Sequence, residues 1–442
     1  MGLRPTNRCE TPAHLSFRAQ RRGICFLFLF SAKSRFLVRR RGDLLGMTGL
    51  SSFRLSRRMR KPVLRIVPCG LMFLLCADFF PACFAQNPPQ IFPEPREVEW
   101  RRDRFSLDPP APVVLPAEAS TADLFLARSL VAELSDKHGV PITTQRITTL
   151  PASGRFILMG SNSNPLVQEY LGKRVKAVVD APEGYLLEVD ANTVVIAGAD
   201  EAGAFYGLQS LLQLIEVQGT HWFVPGISLR DWPYKPFRGI KLYLPGHENI
   251  AYFKRFVRNV MARYKFNQMI LEVAAAMRLD RHPELNVGWI DLGEDLNFTR
   301  RDRSWGPGRQ FQDSANAADG EVLEKSEVAE LVAYARERHI DVIPEIPSLT
   351  HSYYLLTCHH ELAEIADAEW PDTYCPSKPA RLKLDEYIDV MRPQMVHVGH
   401  DEWRMPWGVC ALCKSKDPRE LFAQDINRIY DDLKAKGIKM AI

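Results

Sequence analysis

The second half of the chain alternates short apolar runs with helical patterns, and this alternation limits its fold more than any other feature. Repeated strand–helix units of this length indicate a (β/α)8 barrel. We predict an α/β protein, with a small α+β domain over 87–235 and a TIM-type barrel over 236–442, of which about the first half is present. The predicted strands are 237–244, 268–273, 341–345, 395–399 and 438–442, and the predicted helices are 250–264, 326–339, 379–391 and 418–436.

The run 438–442 is apolar, and no polar segment follows it. An apolar strand that lacks a neighbour is an aggregation risk, so this ending favours a fragment. We expect such a fragment to be poorly soluble and catalytically inactive, because closure of a barrel completes its interior and removes its strand edges.

The predicted α+β domain contains one clear hairpin and two capped helices. Runs 184–190 and 193–198 alternate in polarity and are joined by a short polar turn, which predicts a hairpin. Ser120 and Asp200 each precede a run with helical spacing and are predicted N-caps. No cluster of catalytic side chains occurs in this domain, so we interpret it as a scaffold.

The first 85 residues differ in charge from the rest of the chain. They carry 16 Lys and Arg against 3 acids, which leaves 41 bases and 50 acids in the remainder. An acidic body argues against nucleic acid as a partner, because phosphate binding requires a basic face.

Residues 59–85 have the pattern of a signal peptide, with a basic start, an apolar stretch and a small residue, Ala85, at the predicted cleavage point. We therefore predict export to the periplasm or the extracellular space. Asp78 and two prolines interrupt the apolar stretch, so no stable membrane span is expected; lipid anchoring on Cys83 is the alternative. Residues 1–58 form a basic leader, which is either an over-extended gene start or a disordered arm.

Four cysteines follow residue 85, and they lie within one window of 56 residues. Export permits disulfides, whereas the Cys-x-x-Cys spacing at its end also suits a structural zinc ion. Free thiols are the third alternative, and no catalytic metal or other cofactor is predicted. The four cysteines are Cys358, Cys375, Cys410 and Cys413.

Two adjacent acids, Asp401 and Glu402, follow the predicted strand 395–399. Barrel enzymes place acid and base chemistry at the carboxyl ends of their strands. Neighbouring carboxylates repel each other, so a pair at this position favours a functional role, although a solvated surface pair is the alternative.

With these flanks in place, residues 90–442 resemble glycoside hydrolase family 20, the β-N-acetylhexosaminidases. The segment 199–207 is similar to the end of the domain that precedes the family's barrel. Phe237-Arg238-Gly239 resembles its first strand, and Val342-Ile343-Pro344-Glu345-Ile346 with His351 resembles its third. His397-Val398-Gly399-His400-Asp401-Glu402 resembles the signature H-x-G-x-D-E.

The resemblance implies substrate-assisted, retaining hydrolysis, in which the acetamido oxygen of the sugar attacks the anomeric carbon. Glu402 would protonate the leaving oxygen and later deprotonate water. Asp401 would hold the acetamido N–H and stabilise the developing positive charge. The implied sugar-contacting residues are Arg238, His351, His400 and Trp403.

Each sugar-contacting residue has an alternative role in packing. Arg238 could be a strand-end ion-pair partner, and His351 a core histidine. His400 replaces a glycine usual in the family and is predicted to contact sugar or Asp401. Trp403, like Trp407, either stacks on sugar or packs beneath a loop.

The chain departs from the family at three places. Tyr243 stands where the family has an acid, and Leu349-Thr350 replaces a Pro-Gly pair. The end of the second strand, residues 271–276, has the sequence Leu-Glu-Val-Ala-Ala-Ala and lacks the usual His and paired Asp. Glu272 is therefore the one acid there that could support Glu402.

The leading hypothesis is an exported hydrolase that removes terminal β-linked N-acetylglucosamine or N-acetylgalactosamine from glycans. A related acetamido-dependent glycosidase with another substrate is a second hypothesis. A non-catalytic glycan-binding relative is the third, although binding alone does not need a general acid.

Overall fold

The computed structural model describes residues 90–172, 179–302, 313–367, 371–378, 384–401 and 409–442. Two sheets organise this part of the chain, one mixed and one parallel. No helix within these ranges has the length and apolar character needed to cross a bilayer. The leader predicted over 1–58 and the signal peptide predicted over 59–85 lie outside them.

The first sheet is built from eight strands, with α1, α2 and α3 between them. Its order is β1-β8-β5-β6-β4-β2-β3, and β7 pairs with β8. The strands are β1 (Glu97–Ser106), β2 (Val113–Pro116), β3 (Thr144–Ile147), β4 (Phe156–Ser161), β5 (Tyr185–Val189), β6 (Thr193–Gly198), β7 (Glu216–Gln218) and β8 (His221–Asp231), and the helices are α1 (Thr121–His138), α2 (Pro165–Gly172) and α3 (Glu201–Gln213).

The predicted hairpin and both predicted caps are confirmed. Strands β5 and β6 pair antiparallel. Ser120 accepts a hydrogen bond from the Asp123 N–H, and Asp123 bonds back to the Ser120 N–H. Asp200 accepts from the Gly203 N–H at the start of α3. These local bonds satisfy backbone donors that a helix leaves unpaired in its first turn.

The second sheet contains five parallel strands in sequence order, β9 to β13, with helices between them. This is the arrangement of consecutive βα units in a TIM barrel; that only about half of a barrel is present remains a prediction. The strands are β9 (Gly239–Tyr243), β10 (Gln268–Glu272), β11 (Asp341–Ser348), β12 (Met395–Gly399) and β13 (Lys439–Ala441), and the helices are α4 (Ile250–Phe256), α5 (Pro283–Asp302), α6 (Lys325–Arg336), α7 (Tyr353–Leu356), α8 (Asp385–Met391) and α9 (Pro418–Ala435).

The main apolar core packs helices against one face of the parallel sheet. Leu242, Leu271 and Val398 belong to the same buried cluster as Val257 and Leu331. Because side chains alternate along a strand, the intervening residues point to the opposite face. That opposite face carries the polar side chains described next.

Candidate active site

Polar side chains occupy one row across the parallel sheet near the carboxyl ends of its strands. Tyr243, Glu272, Glu345 and His397 are neighbours in register on β9 to β12. Neighbouring positions on parallel strands point to the same face, and Lys241 lies two residues before Tyr243, so it shares that face. The sheet therefore gathers one lysine, two glutamates and a histidine at the end where barrel enzymes carry their chemistry.

Lys241, Glu272 and Glu345 form an ion cluster, which we call the Lys241 cluster. The Lys241 Nζ lies 2.7 Å from Glu345 Oε1 and 3.1 Å from Glu272 Oε2. Burial lowers the pKa of Lys241, but the two carboxylates outweigh burial and raise it above its ordinary value. The second oxygen of Glu345 is buried and has no hydrogen-bond donor within the described ranges. Two carboxylates share one cation, so the cluster keeps an excess negative charge.

His397 lies beside this cluster, and its surroundings disfavour the charged form of its imidazole. Its Nδ1 accepts a hydrogen bond from the Gly399 N–H at 3.3 Å and is 3.7 Å from Glu345 Oε1. Burial lowers the pKa of His397, opposed by the charges of Glu345 and Asp401. The histidine thus supports the strand end through the Gly399 N–H.

The backbone turns sharply where these strands end. Ala274, Leu349, His351 and His400 have φ between +44° and +65°, in the left-handed region that residues with a Cβ rarely occupy. Each such residue costs about 1–3 kcal/mol and persists only where the surroundings impose it. Their concentration after β10, β11 and β12 is typical of a functional edge.

Asp401 and His351 are brought together at this edge. The His351 Nε2 lies 3.7 Å from Asp401 Oδ1. The Thr350 hydroxyl donates to the Asp401 carbonyl oxygen at 2.6 Å and fixes the backbone there. The Asp401 side chain is 58% exposed, so its carboxylate can meet a ligand from solvent. Glu402, Trp403 and Trp407 lie outside the described residues.

His400 has a packing role in place of its predicted contact with sugar. Its side chain is fully buried, and its Nδ1 lies 2.5 Å from the Ser348 hydroxyl. Because Ser348 donates its own proton to the Val398 carbonyl, His400 is the donor in that pair. Its Nε2 lies 3.2 Å from Asp425 Oδ2 on α9, and Tyr374 donates to the same oxygen. The left-handed backbone at position 400 turns this ring toward the helix layer.

Arg238 is likewise placed away from the carboxyl ends. It precedes β9 at the amino-terminal end of the strand, and its guanidinium contacts Glu183 in the first domain. It also donates to the carbonyl oxygens of Lys235 and Lys265. The structure thus supports the alternative role of Arg238 as a strand-end ion-pair partner. It corrects the expectation that Arg238 contacts the sugar.

Three of the four cysteines after residue 85 come together. Cys375 Sγ lies 3.4 Å from the Sγ atoms of both Cys410 and Cys413, and none of the four is in a disulfide. Cys358 is separate, since its thiol donates to the Glu284 carbonyl oxygen. The sequence grouped Cys358 with the other three cysteines, and this grouping is wrong. The fourth member of the cluster is Glu364.

Sequence reasoning missed Lys241, Asp425 and Glu364. Lys241 carried a usable signal, because it is a charged residue in the middle of a short strand between the buried residues Ile240 and Leu242. Asp425 and Glu364 lie on a polar helix and in a loop, where an acid is ordinarily solvated. Only the packing shows that both are buried.

Comparisons with known proteins agree with this architecture. Residues 88–232 match the family model "Glycosyl hydrolase family 20, domain 2", and residues 237–442 match "Glycosyl hydrolase family 20, catalytic domain". The chain is 25% identical to a beta-hexosaminidase of Porphyromonas gingivalis, over 79% of this chain and 44% of that protein. It is 29% identical to one of Akkermansia muciniphila, over 54% of this chain and 49% of that protein. The chain thus spans about half the length of these curated relatives.

Solved structures show the same fold. The beta-N-acetylhexosaminidase from Bacteroides fragilis superposes with a TM-score of 0.59 at 21% identity, covering 79% of this chain and 65% of that one. An exo beta-N-acetylglucosaminidase from Vibrio harveyi, solved with N-acetylglucosamine, gives 0.59 at 19% identity, covering 79% and 54%.

Proposed function

Because this chain belongs to glycosyl hydrolase family 20, we propose that it removes terminal β-linked N-acetylhexosamine from glycans by substrate-assisted, retaining hydrolysis. The observation that carries the proposal is the pairing of an exposed Asp401 with His351 at the carboxyl edge of the parallel sheet. Related proteins from Porphyromonas gingivalis and Akkermansia muciniphila bear the name beta-hexosaminidase.

The charge of the site suits the reaction. Glu272, Glu345 and Asp401 supply three carboxylates, and Lys241 is the lysine that pairs with two of them. The Lys241 cluster and Asp401 both act on the charge state of His397, so they lie within one electrostatic environment. An excess of negative charge stabilises the positive charge that develops on the sugar ring and acetamido group.

The chemical roles are those that the family resemblance implies for Asp401 and Glu402. The acetamido oxygen forms a bond to the anomeric carbon while the glycosidic bond breaks and Glu402 donates a proton to the leaving oxygen. Asp401 accepts a hydrogen bond from the acetamido N–H and stabilises the cyclic cation. Water then attacks the anomeric carbon while the bond from that carbon to the acetamido oxygen breaks, and the water gives its proton to Glu402. This step restores the acetamido group and gives the sugar with retained configuration.

The test uses Glu402→Gln and Asp401→Asn in a full-length version of the protein, with Asp389→Asn on the exposed face of α8 as the matched control. Glu402→Gln should lower kcat by about 10²- to 10⁴-fold on substrates with poor leaving groups and less on activated aryl N-acetyl-β-glucosaminides. Asp401→Asn should lower kcat with little change in KM. The control should retain parental rates.

Inhibition by a thiazoline analogue of N-acetylglucosamine tests the acetamido route separately. The parent should bind it, and Asp401→Asn should bind it much less well. Equal losses on good and poor leaving groups would contradict the role of Glu402. Binding of N-acetylglucosamine without turnover of any substrate would favour the glycan-binding alternative.

Export is the second part of the proposal. A signal peptide over residues 59–85 would deliver the protein to the periplasm or the extracellular space, with cleavage after Ala85. Amino-terminal sequencing of the protein recovered outside the cytoplasm should begin at Gln86. A lipid-modified Cys83 at the amino terminus would replace this proposal with membrane anchoring.

A further inference from the structure

Three thiols and one carboxylate converge in two loops beside the candidate active site. They belong to Cys375, Cys410, Cys413 and Glu364, whose ligand atoms all lie within 4.8 Å of one another. The 3.4 Å separations from Cys375 Sγ to the other two sulfurs are far longer than a disulfide bond of about 2.0 Å. Ligands bound tetrahedrally to zinc at about 2.3 Å have sulfurs about 3.8 Å apart, so small shifts would fit an ion between them.

Burial makes this cluster unlike a chance group of surface residues. Cys375 and Cys413 are fully buried, and Glu364 is only 4% exposed. A buried carboxylate among apolar thiols is costly unless it is paired or binds a metal. Packing alone would therefore explain the burial of Cys375 and Cys413 but not that of the acid that accompanies them.

The two oxygens of Glu364 have different surroundings. Its Oε1 accepts the N–H groups of Val409 at 2.8 Å and Cys410 at 3.0 Å, which fixes the orientation of the carboxylate. Its Oε2 is buried and has no hydrogen-bond partner of suitable geometry in the described part of the chain. One oxygen is thus held by the backbone while the other is directed into the cluster, the usual arrangement for an oriented metal ligand.

We propose that Glu364, Cys375, Cys410 and Cys413 bind one structural zinc ion. Three thiolates and one carboxylate fill the four positions of a tetrahedral site, and a filled site is typical of structural rather than catalytic zinc. Magnesium and calcium prefer all-oxygen ligands, which this cluster lacks. A disulfide would join two of the sulfurs and leave the third thiol and the carboxylate buried.

The proposed ion would connect the two loops that carry the candidate active site. Glu364 and Cys375 lie in the segment after β11, the strand that precedes His351, whereas Cys410 and Cys413 lie between β12 and α9. Tyr374, next to one ligand, donates to Asp425, which contacts His400 beside Asp401. The ion would tie Cys410 and Cys413 to the segment that carries Glu364 and Cys375, so its expected role is to hold these two segments together.

Metal content of the purified full chain is the first test. We expect one zinc ion per chain after gel filtration in metal-free buffer. Cys410→Ser should lose it, whereas Cys358→Ser, which changes the cysteine outside the cluster, should retain it. Glu364→Gln should weaken zinc binding at least about 10-fold, measured by competition with a chromophoric chelator.

Peptide-level alkylation identifies the thiols involved without interference from the cysteines of residues 1–85. Cys375, Cys410 and Cys413 should resist alkylation until a chelator is added, and Cys358 should not change its reactivity with the chelator. Cobalt substitution of the parent should give the absorption of a tetrahedral thiolate site, which keeps the proposal testable if Cys410→Ser fails to fold.

Two results would overturn the proposal. One is metal-free protein in which these three cysteines alkylate at the same rate with and without chelator. The other is a disulfide between any two of them. Both results are independent of turnover, so they do not decide the proposed hydrolase activity.

Discussion

Two lysines of this protein lie beside buried carboxylates near opposite ends of the parallel strands, and their pKa values shift in opposite directions. Lys265, just before β10, contacts Asp231 at 3.0 Å and the Tyr185 hydroxyl at 2.7 Å. Burial lowers the pKa of Lys265, and one carboxylate does not reverse this. The pKa of Lys241 is raised, because two carboxylates outweigh the burial of a lysine that is 26% exposed.

The difference separates a structural ion pair from a candidate functional one. Around Lys265, one cation meets one anion, and Tyr185 also donates to Asp231 and shares a hydrogen bond with Ser210. In the Lys241 cluster, one cation meets two anions, and an oxygen of Glu345 remains buried without a donor in the described ranges. An imbalance of this kind destabilises the fold and is retained where the charge has a use.

The largest effect is expected from Lys241→Met. It leaves Glu272 and Glu345 buried without their cation, which should lower the free energy of unfolding by about 3–5 kcal/mol at pH 7. Protonation of one carboxylate removes an unpaired buried charge from the variant, so the loss relative to the parent should shrink as the pH falls toward 5. Urea unfolding at several pH values measures the loss and its dependence on pH. A loss that does not change with pH would show that the charges of the two carboxylates are not its cause.

Lys265→Met should lower the free energy of unfolding less, by about 3 kcal/mol, because Asp231 keeps the Tyr185 hydroxyl and the Arg96 N–H as donors. Adding Asp231→Asn should recover much of the loss, since an amide needs no counter-charge. Turnover per folded molecule should stay at the parental value for Lys265→Met, whereas it should fall for Lys241→Met. A fall in kcat for Lys265→Met would remove the distinction between the two lysines.

Arg238→Lys tests whether the amino-terminal edge takes part in binding. Lysine cannot reproduce the simultaneous contacts with Glu183 and two carbonyl oxygens, so stability should fall by about 1–2 kcal/mol. KM for an aryl N-acetyl-β-glucosaminide should not change. A tenfold rise in KM at unchanged stability would restore the sugar contact implied by the family resemblance.

The smallest effect concerns His397, whose pKa lies below its ordinary value of 6.5. The unfolded chain binds a proton at pH values where folded His397 does not, so stability should fall as the pH drops below 6.5 and level off below the folded pKa. The slope for one proton is at most about 1.4 kcal/mol per pH unit. His397→Asn keeps an acceptor for the Gly399 N–H and should lose this dependence; identical pH profiles for parent and variant would contradict it.

The sequence identified β10, β11 and β12 because short apolar runs between polar turns are a local signal. It missed the 20-residue helix α5, which contains Gly288 and Gly293. A Cβ on Gly288 would lie 2.5 Å from the Cys358 sulfur, and one on Gly293 would lie 2.9 Å from the Gly320 backbone. Both glycines permit close packing, but in sequence they resemble helix breakers. Strand β1 was missed because it is charged and largely exposed, so its pairing with β8 defines it.

In the candidate site, sequence reasoning located Asp401 and His351 because both follow recognisable strand motifs. It misplaced Arg238 and His400 for a common reason. A motif gives the position of a residue along a strand, but the side-chain direction depends on tertiary partners, here Glu183 for the arginine and Asp425 for the histidine. Likewise, spacing grouped Cys358 with the other cysteines, and only packing substituted Glu364.

The buried His400 also restricts which mutations can follow one another in evolution. Family resemblance places a glycine at this position, where the backbone φ of +65° suits glycine better than histidine. Yet a return to glycine would relieve backbone strain and at the same time leave Asp425, itself buried, without the imidazole beside it. The reversal would first require a neutral residue at position 425, so the contact with Asp425 on α9 favours retention of the histidine.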